Sequence, residues 1–261
     1  MEKNEKILTA DHWRGLDFYS PKLDDYSSVT IIGCGAIGSY TAFGLARLGV
    51  KKITLVDFDT VENHNLPNQF FAESLNIKEG IFKTAVLEAT IKLMVKNTII
   101  TTFPMKIEQV PEKDWLNGRG AIITAVDDMN VRKFIYQQMK QSNYSGLLLD
   151  PRIGGLFANI YSIDFDNVWA TEYYESSLYS NEAAAPLPCT GQSICDVSMA
   201  VSGELVGRYR THAMGNDLPA FHTFHDYKIG HSWIQEQNPY FSLTAKTKEE
   251  SEEIQILEDE E

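Results

Sequence analysis

A β-branched run ending in Gly33-Cys34-Gly35-Ala36-Ile37-Gly38 opens the part of the chain that could do chemistry. Glycines at these three places suit a strand-to-helix turn that receives phosphate. Gly33 allows the tight turn, Gly35 lets the backbone approach phosphate oxygens, and Gly38 lets the helix pack near the strand. Asp57 follows Gly38 by 19 residues, where an acid can accept hydrogen bonds from a ribose. Up to this point NAD and ATP ask for the same residues. The sequel separates them: Asp57-Phe58-Asp59 opens DFDTVENHNLPNQFF, a loop crowded with acids, amides and a histidine that can surround a triphosphate. Lys83, in GIFKTAV, can reach back over the phosphates. Asp127 and Asp128 follow the apolar run AIITAV and so stand at the carboxyl edge of a sheet, where ligands of open α/β folds collect. One carboxylate of this pair suits Mg²⁺ bound through phosphates, and the other suits a helix N-cap.

The elements needed to position these groups are legible as an α/β alternation. Ser28 to Ile32 reads as a strand, Tyr40 to Leu48 as a helix with Gly49 past its end, and Lys51 to Val56 as a second, parallel strand. Phe82 to Val95 has the spacing of an amphipathic helix. Ile99 to Phe103, Gly120 to Val126 and Gly146 to Leu149 read as further strands, with a helix over Asp128 to Gln141. The predicted fold is a Rossmann-like, doubly wound and mainly parallel sheet with antiparallel C-terminal additions. Ile160 to Phe165 alternates like an antiparallel strand, Tyr173 to Pro188 reads as a loose polar loop, and Ser193 to Tyr209 reads as a helix. Gly203 and Gly207 in that helix predict a close backbone approach. Phe221 to Tyr240 is weakly patterned, and no element is assigned to it.

The 261 residues suit one substantial core, divided as an N-terminal extension over 1–27, a main α/β domain with its C-terminal crossover region over 28–240, and an acidic tail over 241–261. Net charge is −13, of which KTKEESEEIQILEDEE at the C-terminus supplies −6. The chain has no basic stripe to neutralise several phosphates, which disfavours nucleic acid, and no apolar run of roughly 20 residues to cross a bilayer. Without a secretory leader pattern, and with three cysteines in no metal-ligand spacing, the expectation is a cytoplasmic protein.

In the order and separation of these motifs the chain resembles the ThiF/MoeB/HesA family, the adenylating domain shared with ubiquitin-activating enzymes. The resemblance rests on Gly33/Gly35/Gly38, Asp57 and Asp59, Asn65-Leu66-Pro67-Asn68-Gln69, Lys83, and Val126-Asp127-Asp128. It implies that Asp57 holds the ribose, that Asn65, Gln69 and Lys83 with Asn68 beside them hold the phosphates, and that Asp127 holds the metal. The implied reaction is attack of a carboxylate on the α-phosphate of ATP. The implied substrate is the C-terminal glycine of a ubiquitin-like or sulfur-carrier protein, and a homodimer is implied as well.

Two departures stand out. The family motif N-L-x-R-Q has Asn68 in place of its arginine, and the paired CxxC motifs of zinc-bearing members are missing; the N-terminal arginine that the family brings across a dimer interface has Arg14 as its nearby counterpart here, with Arg152 as a stand-in. Cys189, in PCTGQS ahead of a helix, is read either as a thioester-forming nucleophile or as a loop cap. Cys195 is expected in the core and Cys34 as a spacer. His64 is read as a phosphate contact or a plain loop residue, and His222, His225 and His231 lack a compact ligand pattern. An NAD-dependent oxidoreductase and a non-catalytic nucleotide-binding module remain as alternatives.

Overall fold

The computed structural model describes residues 15, 17–19, 28–75, 77–78, 80–116, 120–180, 194–218 and 221–235. Cys189, Arg14 and the acidic tail lie outside these residues. Strands β1 (Ser28–Ile32), β2 (Lys52–Val56), β3 (Ile99–Phe103), β4 (Ala121–Thr124), β5 (Leu147–Gly154), β6 (Phe157–Asp164), β7 (His222–Asp226) and β8 (His231–Gln235) form one sheet in the order β3-β2-β1-β4-β5-β6-β7-β8. Neighbours from β3 to β5 are parallel and those from β5 to β8 are antiparallel. The mainly parallel sheet with antiparallel C-terminal additions is therefore as the sequence predicts. Strand order reverses between β1 and β4, which opens a crevice at their carboxyl ends.

Helix α1 (Ala36–Leu48) runs from the glycine loop. It stops at Gly49, whose left-handed φ of 104° lets its N–H bond back to Leu45 and Ala46. Helices α2 (Lys83–Met94), α3 (Glu112–Trp115), α4 (Met129–Gln141), α5 (Val168–Ser176) and α6 (Cys195–Ala213) complete the described α-helices. One core packs α1, α2 and α6 on one sheet face through Ile31, Leu45, Leu55, Leu87 and Leu205. A second core places Trp115, Ile135, Tyr136 and Tyr174 on the other face. Tyr19, ahead of β1, is buried with its hydroxyl 3.3 Å from that of Tyr209. β4 is buried at all four positions, as an apolar run covered on both faces requires.

Several local expectations need correction. Part of the predicted loop from Tyr173 is helix α5, capped by the Asn167 side chain accepting from the Ala170 N–H. The unassigned C-terminal segment contains the β7–β8 hairpin, held by cross-strand aromatic pairs such as Phe224 and Trp233 at 4.9 Å. Gly203 and Gly207 face open space. The close contact between α1 and α6 is made by Gly44, where a Cβ would stand 2.8 Å from Val206. Cys195 is the first residue of α6 and is half-buried, not part of the core.

Candidate nucleotide site

The site begins where β1 runs out. Gly33 has φ 94°, its N–H donates to the Val56 carbonyl at 2.8 Å, and a Cβ there would lie 2.3 Å from the Ala125 carbonyl oxygen. Glycine is thus required twice, by conformation and by the neighbouring strand end. A Cβ on Gly38 would fall 1.9 Å from the Gly33 carbonyl oxygen, so this glycine lets α1 close onto the loop. Gly35 is different: nothing lies within 4 Å of where its Cβ would be. Its backbone faces open space at the N-terminus of a 13-residue helix, the place where exposed N–H groups favour anions.

Asp57 stands at the end of β2, next to that loop. Its Oδ2 accepts the Cys34 N–H at 2.6 Å and its Oδ1 accepts the Asp59 N–H at 2.8 Å. Burial pushes the Asp57 carboxyl above its ordinary range, while the backbone donors and Lys83 pull the other way. Each oxygen keeps a second lone pair, so the carboxylate can still accept from hydroxyl groups.

Lys83 is the first residue of α2, and its placement follows from how the long loop closes. Val61 donates to the Ile81 carbonyl at 2.8 Å, Thr60 bridges to Phe82, and the Lys83 N–H donates to the Asp59 carbonyl at 2.9 Å. This clasp returns the chain to the tip of β2. The Lys83 ammonium then reaches the Asp59 carboxylate at 2.8 Å, with the lysine side chain 11% exposed and the acid 47% exposed. The sequence signalled both charges but not their pairing. A further cation at this edge was missed: Lys106 lies over the exposed Phe58 ring, 5.3 Å from its centroid.

Asn65 and Asn68 belong to the 3₁₀ turn Asn63–Asn68, with Gln69 just beyond it. The turn is docked onto α1, because the Phe70 N–H donates to the Ser39 hydroxyl at 2.9 Å. The Gln69 Oε1 is enclosed without a hydrogen-bond partner. Turning that carboxamide would present its donor nitrogen instead. His64 is exposed and sits 3.3 Å from Glu62.

The ambiguity between Asp127 and Asp128 is resolved in part. Asp128 caps α4, accepting from the Asn130 and Val131 N–H groups, whereas Asp127 is exposed. The described residues contain no group of three or more His, Cys, Asp or Glu side chains arranged to hold a metal by themselves. A single exposed carboxylate at the β4 edge fits Mg²⁺, which commonly takes one or two protein carboxylates and completes its shell with phosphates and water. The three histidines do not converge. His222 stacks on Tyr161 at 4.1 Å, His225 meets Glu204 at 2.7 Å, and His231 packs against Trp233.

Cys34 is fully buried, and burial raises its thiol pKa well above the ordinary value, as a spacer position implies. Arg152 is not free to serve the phosphates. It is bound to Asp150 at 2.8 Å and to Ser177 through two further hydrogen bonds.

A mainly parallel sheet with a glycine loop at its switch point, and acids at the ends of the two strands that flank β1, defines a Rossmann-type α/β fold. The chain belongs to the ThiF family, whose model matches residues 20–239. It is 29% identical over 115 residues to a tRNA threonylcarbamoyladenosine dehydratase of Haemophilus influenzae, covering 44% of this chain and 43% of that protein. It is 35% identical over 130 residues to ubiquitin-like modifier-activating enzyme 5 of Drosophila melanogaster, covering 45% of this chain and 31% of that protein. The chain thus spans less than half the length of these relatives. Among solved structures, PaaA superposes with a TM-score of 0.66 at 16% identity, over 90% of this chain and 74% of that one. E. coli MccB with ATP superposes with a TM-score of 0.62 at 17% identity, over 83% and 66%.

Proposed function

We propose that the protein is an ATP-dependent adenylyltransferase that activates a carboxylate, with the C-terminal glycine of a ubiquitin-like or sulfur-carrier protein as substrate. The observation that carries this reading is the clasp of Lys83 onto Asp59, 2.8 Å apart and adjacent to Asp57 and the open face of Gly35. An NAD site meets the ribose hydroxyls with an acid alone and offers no phosphate at that edge for an ammonium, whereas a triphosphate supplies anionic oxygens for it to hold. Asp57 accepts from the ribose hydroxyls, and the backbone around Gly35 receives phosphate oxygens. Asn65, Asn68, Gln69 and Lys83 hold the phosphate chain, and Asp127 is the carboxylate toward Mg²⁺. When bound through the phosphates, Mg²⁺ neutralises charge that builds on the departing pyrophosphate.

The substrate carboxylate oxygen bonds to the α-phosphorus as the bond to the bridging oxygen breaks, giving an acyl-adenylate and pyrophosphate. The carboxylate arrives deprotonated, so no general base is required. Positioning and charge neutralisation supply most of the acceleration. Transfer of the acyl group to Cys189 as a thioester is the proposed second step, with AMP leaving and the thiol proton released. Homodimeric assembly, Mg²⁺ dependence and a cytoplasmic setting belong to the same proposal; no helix among the described residues is long and apolar enough to cross a membrane.

Partner-stimulated exchange of radiolabelled pyrophosphate into ATP tests the reading. Exchange above background with a β-grasp partner supports it, and its absence in wild type with the natural partner counts against it. Asn68, in place of the family arginine, favours one alternative, a nucleotide-binding module without adenylation. In that case ATP would bind and stabilise the protein while exchange stayed at background. Stabilisation by NAD in place of ATP would point to the oxidoreductase reading.

A further inference from the structure

Beside the nucleotide edge, one buried carboxylate joins three chain segments. Asp150, with no solvent exposure, accepts from Arg132 Nε at 2.8 Å through Oδ1, and from Arg152 Nε at 2.8 Å and the Tyr174 hydroxyl at 2.9 Å through Oδ2. Arg132 extends from there to the segment just past β4 and to the middle of β5, since its Nη2 donates to the Val126 carbonyl and, at 3.4 Å, to the Pro151 carbonyl.

This arrangement has a purpose that packing alone would not require. A buried ion pair contributes little net stability compared with apolar residues of similar volume, but it imposes direction through its hydrogen bonds. The direction here is toward Asp127. The pairing of β4 with β5 ends at Ile123 and Leu149, so residues 125–127 have left the parallel ladder on that side. They are held instead by the Ala125 N–H donating to the Ile32 carbonyl at 2.8 Å, by Arg132 on the Val126 carbonyl, and by Asp128 capping α4. Asp127 is the exposed residue between the last two of these anchors.

We infer that Arg132, oriented by Asp150, is a positioning residue that aims the Asp127 carboxylate toward a divalent cation carried on nucleotide phosphates. This inference rests on the proposed role of Asp127. Arg132 touches neither nucleotide nor metal; it fixes the peptide that carries the ligand. Partners that orient a metal carboxylate typically govern affinity by 10- to 100-fold.

The test measures Mn²⁺ binding by the loss of the free-ion electron paramagnetic resonance signal, in the full chain saturated with α,β-methylene-ATP. Wild type should retain Mn²⁺, and Asp127→Asn should lose most of that binding. Arg132→Lys keeps a cation near Asp150 but has one nitrogen where the guanidinium uses two, so it cannot hold Asp150 and the Val126 carbonyl in the same geometry, and it should weaken Mn²⁺ binding by about 10-fold. Met139→Ala, which opens the core under the same helix away from the edge, should lower thermal stability and leave Mn²⁺ affinity at the wild-type value. If Arg132→Lys does not fold, Asp150→Asn reads the same effect. Loss in Asp127→Asn together with wild-type affinity in the folded Arg132 or Asp150 variant overturns the positioning role, as does an equal loss in Met139→Ala. Equal binding by Asp127→Asn and wild type, or no binding by wild type, overturns the role of Asp127 and this inference with it.

Discussion

The ammonium of Lys83 and the carboxylate of Asp59 lie 2.8 Å apart although 24 residues separate them in the chain. Their backbones are joined as well, by the Lys83 N–H donating to the Asp59 carbonyl. The lysine is therefore set in place at the strand edge before any nucleotide arrives, and the cost of ordering its side chain falls on folding instead of on binding. Phosphate oxygens can replace or share the carboxylate as its partner.

Lys83→Ala should lower ATP–pyrophosphate exchange by roughly 100-fold, the usual scale for one preorganised charge at a phosphoryl or acyl centre. Stability should change by no more than about 1 kcal/mol, because the Asp59 carboxylate left behind is close to water. Exchange rates and denaturant titration of the same variant check both parts.

The three loop glycines should separate by mechanism. Gly33→Ala and Gly38→Ala place a Cβ 2.3 and 1.9 Å from backbone oxygens, so both should lower the melting temperature by several degrees and abolish nucleotide binding. Gly35→Ala meets no protein atom within 4 Å and should leave the melting temperature within about 2 °C of wild type. It should nevertheless weaken ATP binding by about 10-fold or more, because the methyl enters the space assigned to phosphate. Thermal scans paired with calorimetric titration of ATP distinguish the two classes.

Asn68→Arg restores a cation within the turn that carries the amide motif. Exchange should rise several-fold with little change in fold, since Asn68 is half-buried and its neighbours His64 and Pro67 in the turn are exposed. A steady-state rate comparison at saturating ATP decides it.

Stability should fall as the medium becomes acidic, and His222 supplies part of the slope. Burial, then Arg152 and Arg208, depress its folded-state pKa to about 4. The unfolded chain binds a proton near pH 6.5, so from there down to about pH 4 it takes up more protons than the native state and gains in relative stability. Asp150 acts in a lower window. Burial raises its carboxyl, but Arg132 and Arg152 outweigh that and hold it below the usual range, so its contribution is lost as the pH falls below the ordinary carboxylate pKa. His222→Gln should flatten the melting-temperature profile between pH 6.5 and 4 and leave the acid limb intact.

The parallel half of the sheet was legible because its strands are short apolar runs and its first helix ends at a glycine that must adopt positive φ. The types of the site residues were legible for a related reason: acids directly after buried strands have few structural uses. Helix α5 was not legible, because few of its residues point inward and its tyrosines read as readily in a loop. β8 is exposed along its described side chains and is held by aromatic pairs across the hairpin, which leaves no core-facing alternation to read. The Asp150 cluster did leave a signal. Arg132 falls in the buried stripe of α4 with Met129, Ile135, Tyr136 and Met139, and a charge within such a stripe requires a buried counter-charge. The counter-charge is the aspartate ending the run LLLD.

The most direct test is a crystal of the full chain soaked with Mg²⁺ and α,β-methylene-ATP. Phosphates over the Gly35 backbone, the ribose on Asp57 and the Lys83 ammonium within hydrogen-bond distance of a phosphate oxygen are the predicted result. Nucleotide bound away from the β1–β4 crevice, or bound there with Lys83 still paired solely to Asp59, would contradict the account.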